Sequence, residues 1–219
     1  MTSERSERRG ERERPAERLI AIGASAGGVE ALTRLAADLP GDLPAAVVVV
    51  LHHPQGYQSS LAYLLAKAGP LPAVDASDGC VLVPGRILVA RPGLHLVLQD
   101  GRARLLDTAP VNRVKPAIDL LFQSGAHEYG PRLVAVVLTG TLNDASAGLI
   151  EVRRAGGVAV IQEPHDALFW DMPWNAMDAA GADYCVPLTE MAGLLDALVR
   201  QGPLKDWVPP ASASLRQPG

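Results

Sequence analysis

Two textures of hydrophobic patterning alternate along this chain. Short, nearly continuous apolar runs such as Leu19-Ile20-Ala21-Ile22 and Val47-Val48-Val49-Val50 have the length and composition of strands covered on both faces. Between them lie segments with the three- and four-residue apolar spacing of helices. The pattern predicts strands over 19–24, 45–52, 133–139, 157–162 and 184–187. It predicts helices over 29–38, 57–68, about 116–127, 144–155, 173–180 and 189–201. From 72 to 107 the texture changes: Asp78-Gly79, Pro84-Gly85, Pro92-Gly93 and Asp100-Gly101 punctuate short strands at 87–90 and 95–99. That stretch reads as an inserted antiparallel hairpin region.

Strand and helix in alternation imply an α/β fold: three layers, α/β/α, around a mostly parallel, doubly wound sheet carrying the hairpin insertion. With 219 residues, 48% hydrophobic and 4% aromatic, the chain can bury one core made chiefly of Ala, Val and Leu. Residues 1–18 hold six Arg and five Glu and lack an apolar stretch, so they read as a charged tail and neither as a leader nor as an anchor. Residues 203–219, with Pro209-Pro210 and a Ser/Ala-rich end, read as a second tail, leaving 19–202 as the folded body. The formal charge of −4 offers no broad basic surface for nucleic acid. No apolar run reaches the roughly 20 residues of a membrane helix. Cys80 and Cys185 stand far apart with no zinc-type spacing, which fits a reducing cytoplasm and a chain without a metal site.

In a sheet of this kind functional groups gather at the carboxyl ends of the strands, near the point where strand order reverses. Three polar motifs fall there. Gly23-Ala24-Ser25-Ala26-Gly27 follows the first strand, His52-His53-Pro54 the second, and Asn143-Asp144 the strand that ends in Leu138-Thr139-Gly140. They supply a hydroxyl nucleophile, a base to take its proton and a carboxylate to fix the tautomer of the base, the division of labour of acyl transfer through serine. The backbone N–H of Ala26 is placed to bind an oxyanion. Taken singly, Ser25 also fits a turn serine, Asp144 a helix N-cap and His52 a strand-end hydrogen bond; their coincidence at one sheet edge favours chemistry.

The order Gly-Ala-Ser-x-Gly-Gly, His-x-Pro, Leu-Thr-Gly-x-x-Asn-Asp resembles the catalytic domain of the bacterial chemotaxis protein-glutamate methylesterases, the CheB family. The likeness runs from about Leu19 to Gln201 and includes Leu82-Val83-Pro84-Gly85, Pro110-Val111-Asn112-Arg113, Ala155-Gly156-Gly157 and Met172-Pro173. It implies Ser25 as nucleophile, His52 as general base and acid, and Asp144 as orienting carboxylate. It further implies oxyanion donors near Ala26 and Thr141, with Arg113 and Met172 on the substrate side. The implied substrate is the glutamate methyl ester of a methyl-accepting chemoreceptor, with receptor glutamine as a further substrate, no cofactor and a cytoplasmic setting. Eighteen residues precede Leu19, so the resemblance is to members without a receiver domain. Thr141 and Leu142 stand where the family commonly has Met-Gly, and Ala145 where it has glycine.

Other readings remain at this point. An α/β-hydrolase triad would use Ser25, Asp144 and His165, although its elbow would then follow the first strand rather than a later one. Dinucleotide binding lacks both the second glycine of its fingerprint and an acidic residue after the second strand. A sensory interaction module that keeps the fold without turnover, or a hydrolase of some other ester, completes the set.

Overall fold

Alternate residues of the central strands face two different sets of helices, and this alternation builds the layers. The computed structural model describes residues 15–52 and 59–204. The first half of the fold comprises β1 (Leu19–Ala24), α1 (Gly28–Asp38), β2 (Ala46–Leu51), α2 (Leu61–Ala68), β3 (Ala73–Asp75) and β4 (Ile87–Val89). A hairpin, β5 (His95–Gln99) and β6 (Arg102–Leu106), leads to α3 (Ile118–Tyr129). The second half runs β7 (Leu133–Val137), α4 (Ser146–Arg154), β8 (Val158–Gln162), α5 (Asp171–Ala180), β9 (Tyr184–Val186) and α6 (Leu188–Gln201). Seven strands form one parallel sheet in the order β3-β4-β2-β1-β7-β8-β9, so strand order reverses around β1.

Ile20, Ile22, Val47, Val49, Val134 and Val136 share a core with Leu32 and Leu35 of α1, Leu65 of α2 and Leu194 and Leu195 of α6. Leu19, Ala21, Val48, Val50, Ala135 and Val137 share the other with Leu121 and Phe122 of α3, Leu149 of α4 and Met172 of α5. Every residue of β1, β2 and β7 is buried. That double coverage is why these strands read as unbroken apolar runs.

The three-layer, mostly parallel architecture matches the expectation from sequence, but the antiparallel insertion is narrower than 72–107. β3 and β4 are parallel members of the main sheet, whereas β5 and β6 form an antiparallel pair, turning at Asp100-Gly101 and extended by a single antiparallel bridge between Val81 and Arg102. At three residues each, β3 and β4 are too short to show a period. The hairpin packs Leu96, Leu98 and Ala103 into the α3 side of the core. The His53-Pro54 pair, the expected helix start at 57–58 and most of both expected tails lie outside the described residues. Among the described residues no helix is long and apolar enough to cross a membrane.

Phe122 is fully buried where α3 meets α4, and a Cβ on Gly148 of α4 would lie 2.7 Å from its Cβ. Phe122→Ala is expected to cost about 3–5 kcal/mol through lost burial and the cavity left behind, measured as a lower urea midpoint at unchanged slope.

Candidate active site

Register sets the site. Ala24 of β1 pairs with Leu51 of β2, and the His52 N–H donates to the Ala24 carbonyl (3.1 Å), so Ser25 and His52 stand on the next rung beyond the paired strands. On the other side the Ser25 N–H donates to the Thr139 carbonyl (3.0 Å), fixing it to the end of β7. Continuing the alternation of β1 and β2 one step carries positions 25 and 52 to the face covered by α3 and α4. Gly23 allows α3 to approach that face, since a Cβ there would run into the Ile118 side chain.

His52 Nε2 lies 2.8 Å from Asp144 Oδ2. Because β1 lies between β2 and β7, a bond from the end of β2 to the segment after β7 passes the end of β1, where Ser25 sits. Asp144 is buried and accepts three donors: the His52 ring, the Ile118 N–H (2.6 Å, Oδ2) and the Asp119 N–H (3.2 Å, Oδ1). Burial pushes its carboxyl upward, but the His52 bond and the two N–H groups at the start of α3 outweigh that and hold it below the ordinary carboxylate range. An ionised carboxylate on Nε2 makes that nitrogen the donor and leaves Nδ1 as the basic position.

The remaining predicted residues separate. Ala26 sits in the turn into α1, its carbonyl held by the Thr139 hydroxyl (3.0 Å). Thr141 is half-buried in the turn after β7. Met172 is fully buried, and its Cε and the Ser25 Cβ each lie 2.8 Å from the point a Gly140 Cβ would occupy, so it packs beside the serine. Arg113 lies exposed in the two-residue turn closed by Val111 and Val114, and it makes no ion pair with the described residues. His165 is 91% exposed and bonded to Glu163 (2.7 Å), away from Asp144; the alternative triad is not assembled.

Sequence reasoning missed three features. Thr139 joins the strand ends: its hydroxyl also accepts the Phe169 N–H (2.9 Å), and its own N–H donates to the buried Gln162 Oε1 (2.9 Å). An exposed apolar surface of Leu168, Phe169, Trp170 and Trp174 flanks the site, tied to it where the Gly140 N–H donates to the Phe169 carbonyl (3.0 Å). The third is Asp119, buried in the first turn of α3, whose Oδ1 accepts the Ala145 (3.1 Å) and Gly148 (2.7 Å) N–H groups. Its signal in the sequence is only that of a favourable acid at a helix start. Burial is the chief cause that lifts its carboxyl to about 6, with the neighbouring Asp144 charge adding to it against the Gly148 and Ala145 donors.

Two measurements check these environments. Ala145 holds φ 105°, a left-handed conformation that costs a residue with a Cβ, so Ala145→Gly is expected to raise unfolding stability by about 1 kcal/mol. Asp119 binds its proton more tightly folded than unfolded, so its contribution to stability falls as pH rises from about 4 to about 6. Asp144 has the opposite sign and is retained in a variant at 119. The melting temperature of Asp119→Asn relative to the unsubstituted protein should therefore climb across that window and level off above it.

Residues 20–195 match the family model described as CheB methylesterase. The chain is 40% identical over 192 residues to protein-glutamate methylesterase/protein-glutamine glutaminase 1 of Xanthomonas campestris pv. campestris, covering 86% of this chain and 53% of that protein. It is 39% identical over 192 residues to the enzyme numbered 2 of Xanthomonas oryzae pv. oryzae, with the same coverage. The chain thus spans about half the length of the curated relatives it matches. The crystal structure of the Thermotoga maritima CheB methylesterase catalytic domain superposes with a TM-score of 0.79 at 31% identity, covering 83% of this chain and 98% of that one. Strand ends, register and relatives agree: the chain belongs to the CheB methylesterase family.

Proposed function

We propose that this chain is a cytoplasmic serine hydrolase that removes methyl esters from glutamate side chains of methyl-accepting chemoreceptors, with 19–202 as its catalytic unit. The observation that carries the reading is the His52–Asp144 bond of 2.8 Å passing the end of the strand that bears Ser25. Ser25 Oγ attacks the ester carbonyl carbon while its proton passes to His52 Nδ1, the nitrogen left open by the Asp144 bond. Asp144, held ionised by its three donors, steadies the imidazolium that results. Backbone N–H groups near Ala26 and Thr141 bind the oxyanion. Collapse of the tetrahedral intermediate breaks the bond to the methoxy oxygen, which takes the proton from Nδ1 and leaves as methanol. Water, deprotonated by the same nitrogen, then hydrolyses the acyl-serine.

The same steps deamidate a glutamine side chain with ammonia as the leaving group, in line with the double name of the relatives. Met172 backs the serine, and Arg113, at an exposed turn, meets the receptor surface with its charge.

Methanol release from methylated receptor tests this directly. Ser25→Ala and His52→Ala should each lose at least about 10⁴-fold in kcat and Asp144→Asn about 10⁴-fold, while His165→Ala keeps most of the activity. Equal release by the Ser25→Ala variant and the unsubstituted protein would overturn the reading. Absence of any release, together with no labelling of Ser25 by a fluorophosphonate, would assign the chain to a non-catalytic signalling role.

A further inference from the structure

Asp119 takes no part in the chemistry above, yet it lies against the group that aims the base. The two buried carboxylates are arranged reciprocally. Asp144, on the segment entering α4, is held by the Ile118 and Asp119 N–H groups at the start of α3. Asp119, in the first turn of α3, holds the Ala145 and Gly148 N–H groups at the start of α4. Each carboxylate satisfies donors that the other's helix leaves open.

The segment so held needs holding. Asp144 lies between two left-handed residues that both carry a Cβ, Leu142 at φ 73° and Ala145 at φ 105°. Such conformations persist in a non-glycine residue only where the surroundings enforce them. On the Leu142 side the enforcing contact is Asn175, whose amide donates to the Leu142 carbonyl (2.9 Å). On the Ala145 side it is Asp119 Oδ1. The close approach this requires is built into α4: a Cβ on Gly148 would lie 2.9 Å from the Asp119 carbonyl oxygen and 3.0 Å from its Cα. Asn112, from the turn before α3, places its amide 3.4 Å from the second Asp119 oxygen and limits rotation of the carboxylate.

We propose that Asp119 is a positioning residue for the hydrolase, one that clamps the left-handed turn at Ala145 and thereby keeps Asp144 directed at His52. The inference rests on the roles given above to Ser25, His52 and Asp144. It predicts a dependence on the residue at position 145: because alanine stands there at φ 105°, the clamp bears a strain that glycine would remove.

The test compares Asp119→Ala, Asp119→Asn, Ala145→Gly and the two double variants by methanol release and by the NMR signal of the His52 ring N–H bonded to Asp144. Asp119→Ala should lose about 100-fold in kcat with KM within about twofold, as a misaimed catalytic group does, and should lose the sharp ring signal. Asp119→Asn keeps an acceptor and should lose only about fivefold. Adding Ala145→Gly to Asp119→Ala should restore at least about tenfold relative to Asp119→Ala, the non-additivity expected of residues sharing one strained turn. Where Asp119→Ala does not fold, the Asn pair carries the test, with Ala145→Gly bringing Asp119→Asn back to within about twofold of Ala145→Gly alone. A folded Asp119→Ala with kcat within about threefold of the unsubstituted protein, or a loss that Ala145→Gly does not relieve, would overturn the clamp. Failure of the underlying reading looks different: activity and fluorophosphonate labelling in the unsubstituted protein would then not depend on Ser25.

Discussion

Parallel pairing of β1 on both sides, Ala24 with Leu51 and Gly23 with Val137, is the constraint from which the site follows. A parallel sheet brings strands together with their carboxyl ends at one edge, and reversal of strand order around β1 opens a gap between the helices above that edge. Ser25, His52 and Asp144, separated by up to 119 positions, come to the same sheet edge because each follows one of three adjacent strands. A one-residue slip of β2 against β1 would exchange the faces of Val47, Val48, Val49 and Val50 and turn His52 away from Asp144. The two apolar cores that hold the register therefore also hold the geometry of the imidazole.

Above that edge, charge is managed by helix starts. Two carboxylates buried side by side are costly, and the cost is offset by four backbone N–H groups from the first turns of α3 and α4. The offset is unequal. Asp144 gains the His52 ring as well and stays ionised, whereas Asp119 is lifted toward neutrality. The pair thus contains one carboxylate kept charged against an imidazole and another brought close to neutrality by the same burial.

The central strands and the three polar motifs at their ends were legible because full burial writes unbroken apolar runs and because the residues after them have few other reasons to be Ser, His and Asp together. β3 was not legible, and β4, legible as a strand over 87–90, was not legible as a member of the parallel sheet: each has three residues, set between prolines and glycines that signal turns. Asp119 was hidden for a different reason. An acid in the first turn of a helix is favourable on its own account, so its contact with the start of α4, 26 to 29 positions further on, leaves no local mark. Arg113 shows the converse, a residue prominent in sequence whose position at an exposed turn gives it no partner among the described residues.

Trp170 and Trp174, 55% and 47% exposed with ring centroids 6.4 Å apart, are joined to the end of β7 through the Phe169–Gly140 hydrogen bond. They are two of the three indoles in the chain. The protein accordingly carries an optical reporter on the surface joined to Gly140: emission from partly exposed indoles responds to solvent contact, so a change at that surface can be followed without attaching a dye.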